Sequence, residues 1–130
     1  MYILPRMASL SLEMKDKLVL VPFPFHDFSF VKVRPAICLT DVIGKFEHVV
    51  VAFISSNMDS SSEITDVVLD SDDDGFEQTG LKVSSVILLH KMVALPVNLI
   101  QRELGKLPPN KSAMVRNNLR ILFNIEGGGF

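Results

Sequence analysis

The run from Asp16 to Asp41, DKLVLVPFPFHDFSFVKVRPAICLTD, constrains this chain more than any other part of it. Two short aliphatic runs, LVLV and AICL, are joined by a polar-aromatic connection and punctuated by Pro22, Pro24 and Pro35. Apolar runs this short, bounded by turn formers, have the length of strands. Proline cannot donate to a central ladder, so Pro22 and Pro24 mark the end of the first run. Arg34-Pro35 introduces the second run and places a permanent cation at the mouth of a strand. A guanidinium there stays charged and can grip two phosphate oxygens at once.

The same grammar continues. Expected strands are 18–23, 36–40, His48 to Ile54 (HVVVAFI) and Ile64 to Leu69 (ITDVVL), followed by 83–89 and 92–95. His26 to Val33 reads as a loop, 41–46 as a turn around Gly44, and 57–62 as a small polar loop. Val97 to Leu104 fits strand or helical turn, with Gly105 ending it. Pro108-Pro109 then opens a helix, since proline is tolerated in the first turn. Val115, Leu119 and Leu122 form its apolar stripe, with Arg116 and Arg120 on another face. Several short strands plus one terminal helix predict a mainly β fold with a C-terminal helix (β+α), a small curved sheet or partly open barrel.

At 130 residues one domain is expected. It spans 15–124, between a loose leader at 1–14 and a disordered tail at 125–130. Hydrophobic residues are 48% and charged residues 22% of the chain, enough for a real core. No apolar run has the length of a membrane span, and no compact hydrophobic block marks a signal peptide. Cys38, the single cysteine, lies inside AICL as a small core residue. It allows no internal disulfide and no paired-cysteine metal spacing, and a reducing, cytoplasmic setting suits it.

Net charge is −2, which argues against a general nucleic-acid coat. The acids are concentrated, however. Between Asp59 and Glu77 there are eight and no lysine or arginine, leaving thirteen bases against seven acids elsewhere. The remainder can bind a polyanion locally. Asp70, Asp72, Asp74 and Gly75 imitate half of a calcium loop, but Leu81 stands where the bidentate glutamate belongs. No phosphate loop, HExxH zinc motif or GxSxG elbow is present, so neither metal nor cofactor is expected.

VPFPF, VRPAICL, AFISS, GL followed by SVILLHK, and ELGKL occur here in an order that resembles the MazF/PemK-like toxins of type II toxin–antitoxin pairs, over roughly Lys15 to Phe123. The pieces are short, and their joint order carries the resemblance. It implies an SH3-like, MazF/CcdB-like barrel with a helix, a homodimer, and metal-independent cleavage of single-stranded RNA. It also implies neutralisation by a cognate antitoxin, through which alone DNA would be contacted.

Arg34 matches the family's Arg-Pro arginine, and Ser55 the hydroxyl that ends the third strand. His26 and His90 are the candidate proton carriers. Asp27, Phe28, Phe30, Lys32, Ser56 and Lys82 are candidate RNA contacts, with the two aromatic rings as stacking platforms. Strand alternation sends Ser55 and Ser56 opposite ways. Each of these has a plain alternative: Arg34 in a surface ion pair with Asp16 or Asp41, Ser55 as a turn residue, His26 as a solvated loop histidine and His90 as a strand-edge histidine. Many relatives carry arginine at the position of Leu88 and aspartate at that of His90. The missing arginine raises a second reading, a weak or inactive binding module acting on RNA or on a protein such as gyrase.

Overall fold

The computed structural model describes residues 13–23 and 32–126. Six strands form one antiparallel sheet in the order β4-β5-β3-β2-β1-β6. They are β1 (Lys17–Phe23), β2 (Lys32–Cys38), β3 (His48–Ser55), β4 (Val67–Leu69), β5 (Ser85–Pro96) and β6 (Arg102–Lys106). Among the described residues one α-helix, α1 (Pro109–Phe123), follows β6. The sheet curls into a half-barrel, as the short strands and terminal helix predict.

Alternation along the strands loads both sheet faces with apolar side chains. Leu18, Ile37, Ala52, Ile54, Ile87 and Leu89 belong to the core that α1 covers with Val115, and Leu119 and Leu122 pack against it. Val19, Val21, Ala36, Cys38, Val51 and Phe53 build a second core on the other face. The three stripe residues of α1 are therefore the ones that face the sheet. The helix start is tied down by Ser112, whose hydroxyl donates to Asp16 at 2.8 Å.

Four local expectations are corrected. β2 begins at Lys32 rather than Ala36, because Leu20 of β1 pairs with Pro35 and Val21 with Arg34. The ladder to β3 is formed only from Ala36 to Cys38. A proline has no N–H to give that neighbour, so Pro35 is tolerated where β2 is paired on one side. The segment 64–69 is strand only from Val67. Ahead of it, Asp66 Oδ2 accepts the N–H groups of Ser62 and Glu63, both at 3.0 Å. A side chain that captures nearby backbone donors favours a turn over a ladder.

The third correction joins 83–89 and 92–95 into the single strand β5. Its pairing with β3 jumps from Ala52–Met92 to Phe53–Leu88, leaving Leu89, His90 and Lys91 as a bulge. Bulges bend a strand and re-aim its side chains. Finally, Gly105 does not end an element but lies inside β6, after a 3-10 turn at Val97–Leu99. Its missing side chain serves close approach: a Cβ there would stand 2.2 Å from the Gln78 carbonyl oxygen. Gly80 is the reciprocal contact, with φ +75° and the Leu104 carbonyl oxygen 2.1 Å from where its Cβ would be.

Candidate functional site

Where β2 and β3 part company, a cleft opens. The last pairs of their ladder are Ile37–Ala52 and Ala36–Phe53. Continued by two residues, that register sets Arg34 opposite Ser55. Both side chains line a cleft of about 370 Å³, together with Pro35, Phe53, Ile54, Ser56, Asn57, Ser60, Leu88 and Lys91. Its floor is apolar, with Phe53 and Leu88 nearly buried. Its walls carry two cations, Arg34 and Lys91, and, among the described residues, no carboxylate.

Local chemistry explains the polar wall. β3 ends at Ser55, and the chain turns at once into a 3-10 turn at Met58–Ser60. Ser55 Oγ accepts the N–H of Asn57 at 3.1 Å and lies 3.4 Å from Ser60 Oγ. Asn57 Oδ1 in turn accepts the N–H of Asp59 at 3.0 Å, capping the turn. The result is a small shelf of hydroxyl and amide groups held by its own backbone. Because the strand stops at Ser55, alternation no longer separates the two serines, and Ser56 lines the same cleft.

The structure therefore brings Arg34, Ser55 and Ser56 together. Lys32 heads the same strand as Arg34, exposed and two residues away, outside the cleft lining. Lys82 is exposed in the segment before β5 and does not line the cleft either. His90 is likewise absent from the lining. Its Nδ1 stands 3.7 Å from Asp66 Oδ1. His26, Asp27, Phe28 and Phe30 lie outside the described residues. Asp16 and Asp41, weighed as ion-pair partners for Arg34, have other work: Asp16 receives the Ser112 hydroxyl, and Asp41 Oδ1 receives the N–H groups of Met14 and Lys15.

Lys91 is the site residue that sequence reasoning missed. Period-2 counting along β5 does not reveal it, because the bulge resets which side chains face the cleft. Cys38, by contrast, stays with the core: burial pushes its thiol up to about 12, far from nucleophilic use.

A curled antiparallel sheet with one terminal helix defines a class of small half-barrels. Solved structures bear this out. A Mycobacterium tuberculosis toxin, MazF-mt6, superposes with a TM-score of 0.66 at 19% identity, covering 85% of this chain and 99% of its own. MazF of Deinococcus radiodurans superposes at 0.63 and 22% identity, covering 87% and 97%. An endoribonuclease in complex with its cognate antitoxin, from a mycobacterial species, superposes at 0.63 and 10% identity, covering 89% and 97%. No curated protein matches by sequence. The model of the PemK-like, MazF-like toxins of type II toxin–antitoxin systems matches residues 16–123, and the chain belongs to that family.

Proposed function

We propose that this protein is the toxin of a type II pair and an endoribonuclease that cuts single-stranded RNA without a metal ion. The observation that carries the reading is the meeting of Arg34, Ser55 and Lys91 in one cleft. RNA cleavage by the 2′-hydroxyl builds negative charge on the phosphoryl oxygens as the hydroxyl attacks phosphorus. A guanidinium aimed at those oxygens stabilises that charge more than it stabilises the bound substrate. The Ser55 hydroxyl, oriented by the Asn57 N–H, donates a hydrogen bond to a phosphate oxygen and is not the nucleophile. Lys91 supplies a second positive charge from the opposite strand.

The 2′-oxygen–phosphorus bond forms as the bond to the 5′-oxygen breaks, giving a 2′,3′-cyclic phosphate and a 5′-hydroxyl. His26, in the segment between β1 and β2, is the proposed proton carrier. His90 stands in reserve for that role, engaged with Asp66. Leu88, where many relatives have arginine, forms part of the floor. Lys91 restores a cation to the same cleft, which favours the ribonuclease over an inactive binding module.

A cognate antitoxin that presents acidic side chains to Arg34 would close this cleft. A homodimer belongs to the same reading, and light scattering at tens of micromolar distinguishes it from a monomer. The central test is incubation of the purified, folded protein with a long RNA in EDTA. The expected products are fragments with cyclic-phosphate ends. Intact RNA at high protein excess overturns the proposal.

A further inference from the structure

The bulge in β5 places three consecutive side chains in three different settings. Leu89 is fully buried in the core beneath α1. His90 reaches to the turn ahead of β4, and Lys91 reaches into the cleft. These three residues fall outside both ladders of β5. Their backbone course therefore depends on where their side chains are anchored.

The anchor of His90 is unusual. The Asp66 side chain is only 1% exposed, against 36% for His90. Its Oδ2 is occupied by the N–H groups of Ser62 and Glu63. Its Oδ1 is buried and has no hydrogen-bond partner among the described residues. A buried carboxylate oxygen left unpaired is costly, and the cost falls when a donor, above all a charged one, faces it. The group that faces it is His90 Nδ1, at 3.7 Å.

Resting on the reading of the cleft as an RNA site, we propose that Asp66, acting through His90, is a positioning residue that holds the bulge so that Lys91 meets an RNA phosphate. Asp66 fixes the imidazole with Nδ1 toward the carboxylate. The imidazole fixes the middle of the bulge. The next residue then projects its ammonium across the cleft from Arg34.

The experiment uses the full chain and a short single-stranded oligonucleotide in which the attacking 2′-hydroxyl is replaced by hydrogen. Binding is followed by fluorescence anisotropy over a salt series. Each phosphate contact on a single strand contributes about 0.7 to the slope of log K against log salt. Lys91→Met should weaken binding and lower the slope by about that amount. Asp66→Asn, which keeps an oxygen for both backbone donors but loses the charge, should lower it similarly. In the double variant the Asp66 change should add little, as expected for residues acting in series. His90→Leu, which leaves the buried turn intact, should reproduce Asp66→Asn, and His90→Gln should partly restore binding.

An unchanged salt slope in Asp66→Asn and His90→Leu, or a full additive penalty on top of Lys91→Met, overturns the proposal. A role confined to stability would lower the melting temperature without moving the slope. Should the unmodified protein bind no RNA, the functional reading fails by itself. The positioning claim is then decided by a crystal structure of His90→Leu, where an undisplaced Lys91 overturns it and a displaced one upholds it.

Discussion

Arg34 on β2 and Ser55 on β3 face one another across the point where their strands stop pairing, and both line one cleft. The relationship is a product of Pro35. With no N–H to extend the ladder, β2 and β3 separate there, and the residue before the proline is left facing the strand-end hydroxyl across open space.

Replacing Arg34 with alanine should lower RNA cleavage by about 10²–10³-fold, the usual loss for one transition-state donor. Arg34 is exposed, so the thermal melt should shift by roughly 1 kcal/mol or less. Arg34→Lys should recover only part of the rate, because an ammonium does not reproduce the two-pronged grip. Cleavage rates at saturating protein check both.

Ser55→Ala and Ser56→Ala should differ although both residues line the cleft. Ser55 Oγ is oriented by the Asn57 N–H and neighbours Ser60 Oγ. Removing it should cost about tenfold to a hundredfold in cleavage, the scale of one lost hydrogen bond to a charged group. Ser56→Ala should cost about threefold or less. Equal losses in side-by-side assays would contradict the assignment of Ser55 as the phosphate donor.

Gly105→Ala should destabilise the fold by about 3 kcal/mol, since its Cβ would stand 2.2 Å from the Gln78 carbonyl oxygen and neither backbone can yield easily. Gly44→Ala is the control. Gly44 has φ +74° but nothing within 4 Å of an added Cβ, so only the backbone preference of roughly 1 kcal/mol is lost. Urea unfolding of the two variants should separate them by about 2 kcal/mol.

Cys38 should resist thiol reagents at pH 8 in the folded protein and react fully once unfolded. Burial raises its pKa to about 12, while an exposed thiol ionises near 8.5. The folded chain therefore holds a proton that the unfolded chain releases between those values. Its contribution to stability is complete below about pH 8.5 and declines as pH rises toward 12. Cys38→Ser should flatten that alkaline decline in a pH series of melts while lowering stability overall, because a hydroxyl is then buried among apolar neighbours.

Much of this molecule is written locally. The aliphatic runs of β1 and β3, the proline-led start of α1 and its Val115–Leu119–Leu122 stripe are consequences of neighbours a few residues apart, and they stand where the chain predicts them. Arg34-Pro35 announces a cation beside the second apolar run, although Arg34 stands inside β2 and not at its mouth, and Ser55 ends β3. The order of the short motifs also carries the family, which the match over residues 16–123 shows. What tertiary structure alone decided concerns contacts between distant segments. Asp66 and His90 are separated by 24 positions yet stand 3.7 Å apart, and nothing in either neighbourhood signals the other. Lys91 enters the cleft because β5 must bend around β3, and a bend that inserts three unpaired residues overrides the strand's period of two. Position 105 needs a glycine mid-strand because a 3-10 turn at Phe76–Thr79 packs against it. Sequence pattern records the preference of each segment; the cleft exists where those segments pack and one ladder runs out of donors.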